Sequence, residues 1–181
     1  MSKGIKQPPM RNGSPDDFQT PPEALAPLIP YLRPEWTVWE CAMGRGNLVR
    51  ELNSRGFHVI GSDRERDFLA CRPPRSFDCI ITNPPYSLKD EFLSRCYQLQ
   101  KPFGLLLPLT ALEGKKRQKF FKERGVEILL FNRRINFETP SGQGKGSWFA
   151  TAWFTWGLNL PGELVFVELA KRSDERCFES C

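Results

Sequence analysis

Between residues 37 and 131 short apolar runs alternate with stretches of helical periodicity, and this rhythm restricts the fold more than anything else in the chain. Strands are expected at 37–40, 57–61, 77–82, 104–107 and 126–131, and helices at 22–32, 46–54, 88–99 and 113–123. The run 77–82 reads as a buried strand, and Leu88, Phe92 and Leu99 mark the apolar positions of the helix after it. Strands joined by helices pair in parallel through right-handed crossovers. The expected class is therefore α/β, a Rossmann-like, doubly wound, mostly parallel sheet with helices on both faces. After residue 131 the rhythm changes. Residues 139–147 form a Gly/Ser-rich loop, while 148–156 and 164–169 are both strand-like with no helix between them, which predicts an antiparallel C-terminal edge.

With 181 residues, 40% of them hydrophobic, the chain can bury one core. Residues 1–17 hold Gln-Pro-Pro, Asn-Gly-Ser-Pro and Asp-Asp with almost no apolar periodicity and read as a flexible leader; 18–171 form a single domain and 172–181 a tail. No apolar run approaches the roughly 18 residues that span a bilayer, and no apolar stretch follows the basic N-terminus, so no membrane partner and a cytoplasmic location are expected. Six cysteines without a CxxC pair and one histidine, His58, offer no Cys/His metal framework, so no metal is expected and the thiols are read as reduced. Twenty-six basic against 21 acidic residues give a net charge of +5, which favours a polyanionic partner.

The first strand runs into Cys41-Ala42-Met43-Gly44-Arg45-Gly46 and then a helix, so two glycines stand where backbone approaches a ligand and a helix N-terminus faces it. A dinucleotide site would carry a third glycine where Val49 stands. Glu40, at the strand's end, would also repel a pyrophosphate, and it suits a ligand with a positive centre. S-adenosylmethionine, with its sulfonium and ammonium groups, fits. Asp63 ends the second strand 17 residues after Gly46, near the spacing at which an acid meets ribose hydroxyls. An ordinary tight strand-to-helix connection would look similar.

The strand 77–82 ends in Asn83-Pro84-Pro85-Tyr86, at the sheet end where open α/β folds place ligands. Two prolines hold the backbone extended and leave the Pro84 carbonyl aimed outward as an acceptor. With the Asn83 side chain as second acceptor, the pair can take both hydrogens of a planar amine and point its lone pair at an electrophile, while Tyr86 stacks on the ring. Transfer of a sulfonium methyl then needs positioning more than proton chemistry.

With these residues in place, the chain resembles the S-adenosylmethionine-dependent amino-group methyltransferases, in particular the small adenine-specific DNA methyltransferases of phages, over about residues 18–156. Phe18-Gln19-Thr20-Pro21 is similar to the family's Thr-Pro segment, which implies that Thr20 and Pro21 help hold the methionine end of the cofactor. The acidic glycine turn matches Glu40, Ala42, Gly44 and Gly46, the ribose acid matches Asp63, and the pair near the cofactor adenine matches Asp67 and Phe68. The catalytic tetrapeptide matches Asn83, Pro84, Pro85 and Tyr86, and an aromatic near the last strands implies that Trp148 or Phe149 contacts the target base. Cys41 departs from the family's proline, the third strand is nearly absent between Arg64 and Arg75, and no segment is long enough for a separate target-recognition domain.

The helix at 113–123 is strongly basic: Lys115, Lys116, Arg117 and Lys119 lead it, and Arg133, Arg134 and Lys145 extend the charge toward the Gly-rich loop. These are the expected phosphate contacts along DNA, from which an adenine is flipped into the pocket at residues 83–86. A solvated helix face would have the same composition. Of the cluster Trp148-Phe149, Trp153-Phe154 and Trp156, most members should be core. RNA, other exocyclic amines, or a protein glutamine amide could present the same planar amine, and a non-catalytic nucleic-acid binder could keep the basic face. A nicotinamide oxidoreductase is disfavoured by Val49 and Glu40. A monomer is expected, a dimer being the way a chain this small would enlarge its DNA surface.

Overall fold

Each strand of the central sheet is short, and those at its middle are buried from end to end, which demands cover on both faces. The structure, a computed structural model, describes residues 18–139, 142–143 and 149–169. Its strands are β1 (Thr37–Glu40), β2 (His58–Gly61), β3 (Cys79–Thr82), β4 (Phe103–Pro108), β5 (Glu127–Phe131), β6 (Glu138–Thr139), β7 (Gly142–Gln143), β8 (Thr151–Trp156) and β9 (Leu164–Val167). The α-helices are α1 (Asn47–Ser54), α2 (Lys89–Leu99) and α3 (Lys115–Arg124). Seven strands make one sheet in the order β2-β1-β3-β4-β8-β5-β9, and β6 and β7 pair antiparallel as a separate two-stranded sheet.

The pairs β1–β2, β1–β3, β3–β4 and β5–β9 are parallel, and β8 is antiparallel to both its neighbours. The doubly wound α/β class is as expected. The antiparallel member lies inside the sheet, between β4 and β5, and the edge strand β9 runs parallel to β5. Burial decides this placement: Thr151 to Thr155 are all buried, so β8 needs strands on both sides and cover on both faces, whereas Leu164 and Phe166 of β9 are exposed. No strand is formed between β2 and β3 among the described residues, where one turn of 3₁₀ helix, Arg64–Arg66, follows β2.

Side-chain alternation sorts the strands onto two cores. Val38, Cys79 and Ile81 face Leu25, Leu28, Leu48 and Leu52, whereas Trp39 and Ile80 face Phe92, Leu93 and Cys96. The buried face of α2 is Phe92, Leu93, Cys96 and Tyr97; Leu88 stops short of the helix and is 39% exposed. The helix expected at 22–32 is instead two 3₁₀ turns, Pro22–Ala24 and Ala26–Tyr31. Pro27 and Pro30 have no N–H to donate, so an α-helical ladder could not run through them. Helix α3 buries none of its side chains completely. It is pinned at its C-terminal end by the Trp156 indole N–H to Arg124 O (2.8 Å) and the Tyr97 hydroxyl to Gly125 O (2.6 Å).

Gly104 lies in a tightly packed part of one core: a Cβ there would stand 3.1 Å from Ile81 Cδ1 and 3.3 Å from Leu28 Cδ2. Gly104→Val should lower the unfolding free energy by about 1–3 kcal/mol, read from urea midpoints at unchanged slope.

Candidate functional site

The ends of β1, β3, β4 and β5 that point the same way form one rim of the sheet, and a cavity of about 810 Å³ opens at the β1 and β3 end of it. Glu40, the last residue of β1, forms its floor and is 1% exposed. Its Oε1 accepts from the Ala42 N–H (2.9 Å) and from the Thr82 hydroxyl, while the buried Oε2 has no partner. Burial, with some repulsion from Asp63, pushes the Glu40 carboxyl up from the ordinary 4.5 to about 7. A buried carboxylate with one vacant oxygen and, among the described residues, no ion-pair partner is an acceptor for a positively charged ligand group.

The glycine turn leaves β1 with Gly44 at φ 50° and Gly46 at φ 77°, left-handed positions that favour glycine, and Gly46 caps α1. Met43 N–H bonds to Ser62 O (3.0 Å), tying the turn to the end of β2, where Asp63 also lines the cavity. Asp67 caps its own turn through the Leu69 N–H (2.9 Å). Phe68 is 2% exposed, stacked on Phe92 (4.7 Å) and edge-on to Trp39 (5.2 Å), so it reaches the cavity as part of the core wall.

Phe18, Gln19 and Thr20 also line this cavity. The Gln19 side chain accepts from the Arg45 N–H (3.0 Å) and stands 2.9 Å from where a Cβ on Gly44 would sit. Thr20 is buried and its carbonyl accepts from Asn47 (3.3 Å); Pro21 starts the first 3₁₀ turn. Phe18 and Gln19 were not singled out from the sequence for themselves. Their signal was proximity to Thr20 and Pro21; Phe18's role depends on contacts 65 residues away.

Asn83 donates its Nδ2 to the Phe18 carbonyl (2.8 Å). A carbonyl can only accept, so this bond fixes which way the amide faces and leaves Oδ1, buried and without a partner, as an acceptor. Beside it three aromatic rings pack together: Phe18 stacks on Tyr86 (5.7 Å, 24°), and Phe149 meets Tyr86 edge-on (5.5 Å) and Phe18 edge-on (5.7 Å). Asn83 and Pro85 line the cavity together with Glu40, and Pro84 between them is buried. Of the two aromatics expected near the base, the structure brings Phe149 to Tyr86; Trp148 and Lys145 lie outside the described residues. Trp153 and Phe154 are fully buried, as core residues should be.

Lys115, Lys116 and Lys119 are exposed on α3, and Lys119 is 3.9 Å from Glu123. Arg133 and Arg134 follow β5, three strand spacings or about 14 Å along the rim from β3. Arg117 is different. Its Nη1 pairs with Asp90 (2.6 Å) and its Nε donates to Ala111 O (2.7 Å), so the guanidinium is turned inward and away from solvent-borne phosphate. Burial pushes the Cys79 thiol up to about 12 and those of Cys41 and Cys96 well above their ordinary range, which leaves these cysteines neutral packing groups. Among the described residues no group of His, Cys, Asp or Glu could hold a metal ion, and no helix is long and apolar enough to cross a membrane.

The Glu40 carboxyl sets a pH dependence with a defined sign. The unfolded chain releases this proton near 4.5 and the folded chain near 7, so its contribution to stability is full below 4.5 and is lost as pH rises to about 7. Across that window the wild type should lose about 3 kcal/mol relative to Glu40→Gln, measured by urea unfolding at intervals of half a pH unit.

No family model matches the chain, and no curated protein matches it. Among solved structures it is similar to a Listeria monocytogenes protein described as a class I S-adenosylmethionine-dependent methyltransferase, with TM-score 0.56 and 13% identity over 92% of this chain and 71% of that one. It is also similar to the protein described as the modification subunit of a type I restriction enzyme from Vibrio vulnificus, with TM-score 0.52 and 12% identity over 90% of this chain and 49% of that one. The chain thus spans about half the length of the Vibrio subunit. At these identities the likeness is one of fold, and the chain has the Rossmann-like methyltransferase fold.

Proposed function

We propose that this chain is a methyltransferase that moves a methyl group from S-adenosylmethionine to the exocyclic 6-amino group of adenine in DNA. The observation that carries this reading is the Asn83 amide, pinned through Nδ2 to Phe18 O so that a buried, unpartnered Oδ1 is offered beside Tyr86. Such an acceptor next to an aromatic face selects a planar ring bearing an N–H donor.

The residues around the cavity fit the cofactor. The vacant Glu40 Oε2 would accept from its ammonium, Asp63 would take the ribose hydroxyls, Asp67, Phe68 and Leu69 would border its adenine, and the glycine turn and Thr20, with Pro21 next to it in sequence, would hold the methionine end. When bound, S-adenosylmethionine supplies an electrophilic methyl group. Asn83 Oδ1 and the Pro84 carbonyl would hold the two amine hydrogens of the target and draw the nitrogen lone pair out of conjugation; the N–C bond would form as the S–C bond breaks, a neutral thioether would be left, and the surplus amine proton would pass to solvent. Pro85 keeps the segment extended, Tyr86 supplies an aromatic contact for the ring, and Phe149, or Trp148 beside it in sequence, supplies a second one. The amine must leave the duplex stack to reach this depth. Lys115, Lys116, Lys119, Arg133, Arg134 and Lys145 then follow the phosphates as a sequence-independent contact.

The test uses S-adenosylmethionine with a heavy methyl label and unmethylated DNA or RNA, followed by nucleoside mass spectrometry. Label is expected in 6-methyladenine from DNA and should fall at least about a hundredfold with Asn83→Ala, while cofactor affinity changes less than about threefold. Label confined to RNA moves the substrate and keeps the chemistry. Absence of label in either nucleic acid, with the cofactor bound, overturns the reading.

A further inference from the structure

The loops beyond β3 and β4 carry no ladder hydrogen bonds, yet the segment 83–86 has to be held to a fraction of an ångström for amine and methyl to meet. One side chain spans both loops. Arg117, in the first turn of α3, donates Nε to Ala111 O (2.7 Å), Nη2 to Thr110 O (3.4 Å) and to Glu113 O, all on the 3₁₀ turn and linker that follow β4. Its Nη1 reaches across to Asp90 Oδ1 at 2.6 Å. Asp90 sits in the first turn of α2, which continues directly from the turn Tyr86–Leu88 after the prolines. The neighbouring Lys89 donates Nζ to Tyr86 O (3.0 Å). The ion pair is largely sheltered, with side chains 14% and 28% exposed.

We infer that Arg117 is a positioning residue for the segment 83–86, clasping the start of α2 to the loop after β4; the inference rests on the methyl-transfer reading of that segment. Four N–H···O bonds, to three carbonyls and one carboxylate, match a guanidinium fork, and an ammonium group with three hydrogens could not serve them together. Gly114 makes room for it. A Cβ at Gly114 would stand 2.9 Å from Arg117 Nη2, and the residue's φ of 101° is itself a glycine conformation. The clasp also sets Arg117 apart from Lys115, Lys116 and Lys119 on the same helix, whose side chains are turned to solvent.

The experiment compares Arg117→Gln, Asp90→Asn and the double variant, each checked for wild-type thermal unfolding or for a common small loss. With labelled S-adenosylmethionine and the DNA that the wild type methylates, each single variant should lose about tenfold or more in kcat with the cofactor KM changed less than about twofold. The double variant should fall no further than the worse single one, because both break one interaction. The salt dependence of DNA affinity should keep its slope in Arg117→Gln. A slope shallower by about one, with kcat retained in Asp90→Asn, would overturn the clasp and make Arg117 a phosphate contact. Additive losses in the double variant would also overturn it. Should the wild type transfer no methyl group, the functional reading fails separately, and the clasp is judged by amide exchange. Residues 86–92 should exchange about tenfold faster in Asp90→Asn and Arg117→Gln alike; unchanged exchange there overturns the clasp.

Discussion

Parallel pairing of β1 with β3 is the constraint on which the rest of the molecule depends. It sets Trp39 against Ile80 in the ladder, and one step further along the rim it brings the end of β1 to the end of β3, where Thr82 donates to Glu40. Two segments 42 residues apart in the chain thereby share one floor, a charged acceptor on one side and a neutral amide acceptor on the other. The cavity, the glycine turn and the aromatic pocket are arranged around that junction. Both strands are buried along almost their whole length, so a slip in their register would exchange the two cores as well as part the two acceptors.

Much of this was legible in the sequence because it depends on local patterns. Alternating apolar runs and helical periods predicted β1 to β5 and all three α-helices to within a few residues, and Glu40, Asp63 and Asn83, expected at strand ends because ligands in such folds gather there, line one cavity. The resemblance of residues 83–86 to a known tetrapeptide added a chemical role, and the structure adds the geometry that supports it: an amide oriented by Phe18 and left with its oxygen vacant.

What was not legible depends on distant partners. The prolines at 27 and 30 were visible, but the pull of Leu25 and Leu28 into the core keeps that segment wound as 3₁₀ turns even though they interrupt an α-helix. Two strand-like runs at the C-terminus predicted antiparallel pairing, and only the burial of Trp153 and Phe154 on opposite faces shows why β8 slots between β4 and β5. Arg117 illustrates the same limit at one residue. In sequence it is one cation among several on a basic helix; Asp90, 27 positions earlier, gives it a separate task.

The vacant oxygen of Glu40 also governs how ligand binding couples to the solvent. A carboxyl poised to titrate at about 7 is a mixture of protonated and ionised forms in neutral solution. Any cation that settles against it favours the ionised form and sends the remaining proton out to the buffer. The heat of such an association therefore belongs partly to the medium: it will differ between phosphate and an amine buffer of the same pH, although the contacts formed inside the protein are identical.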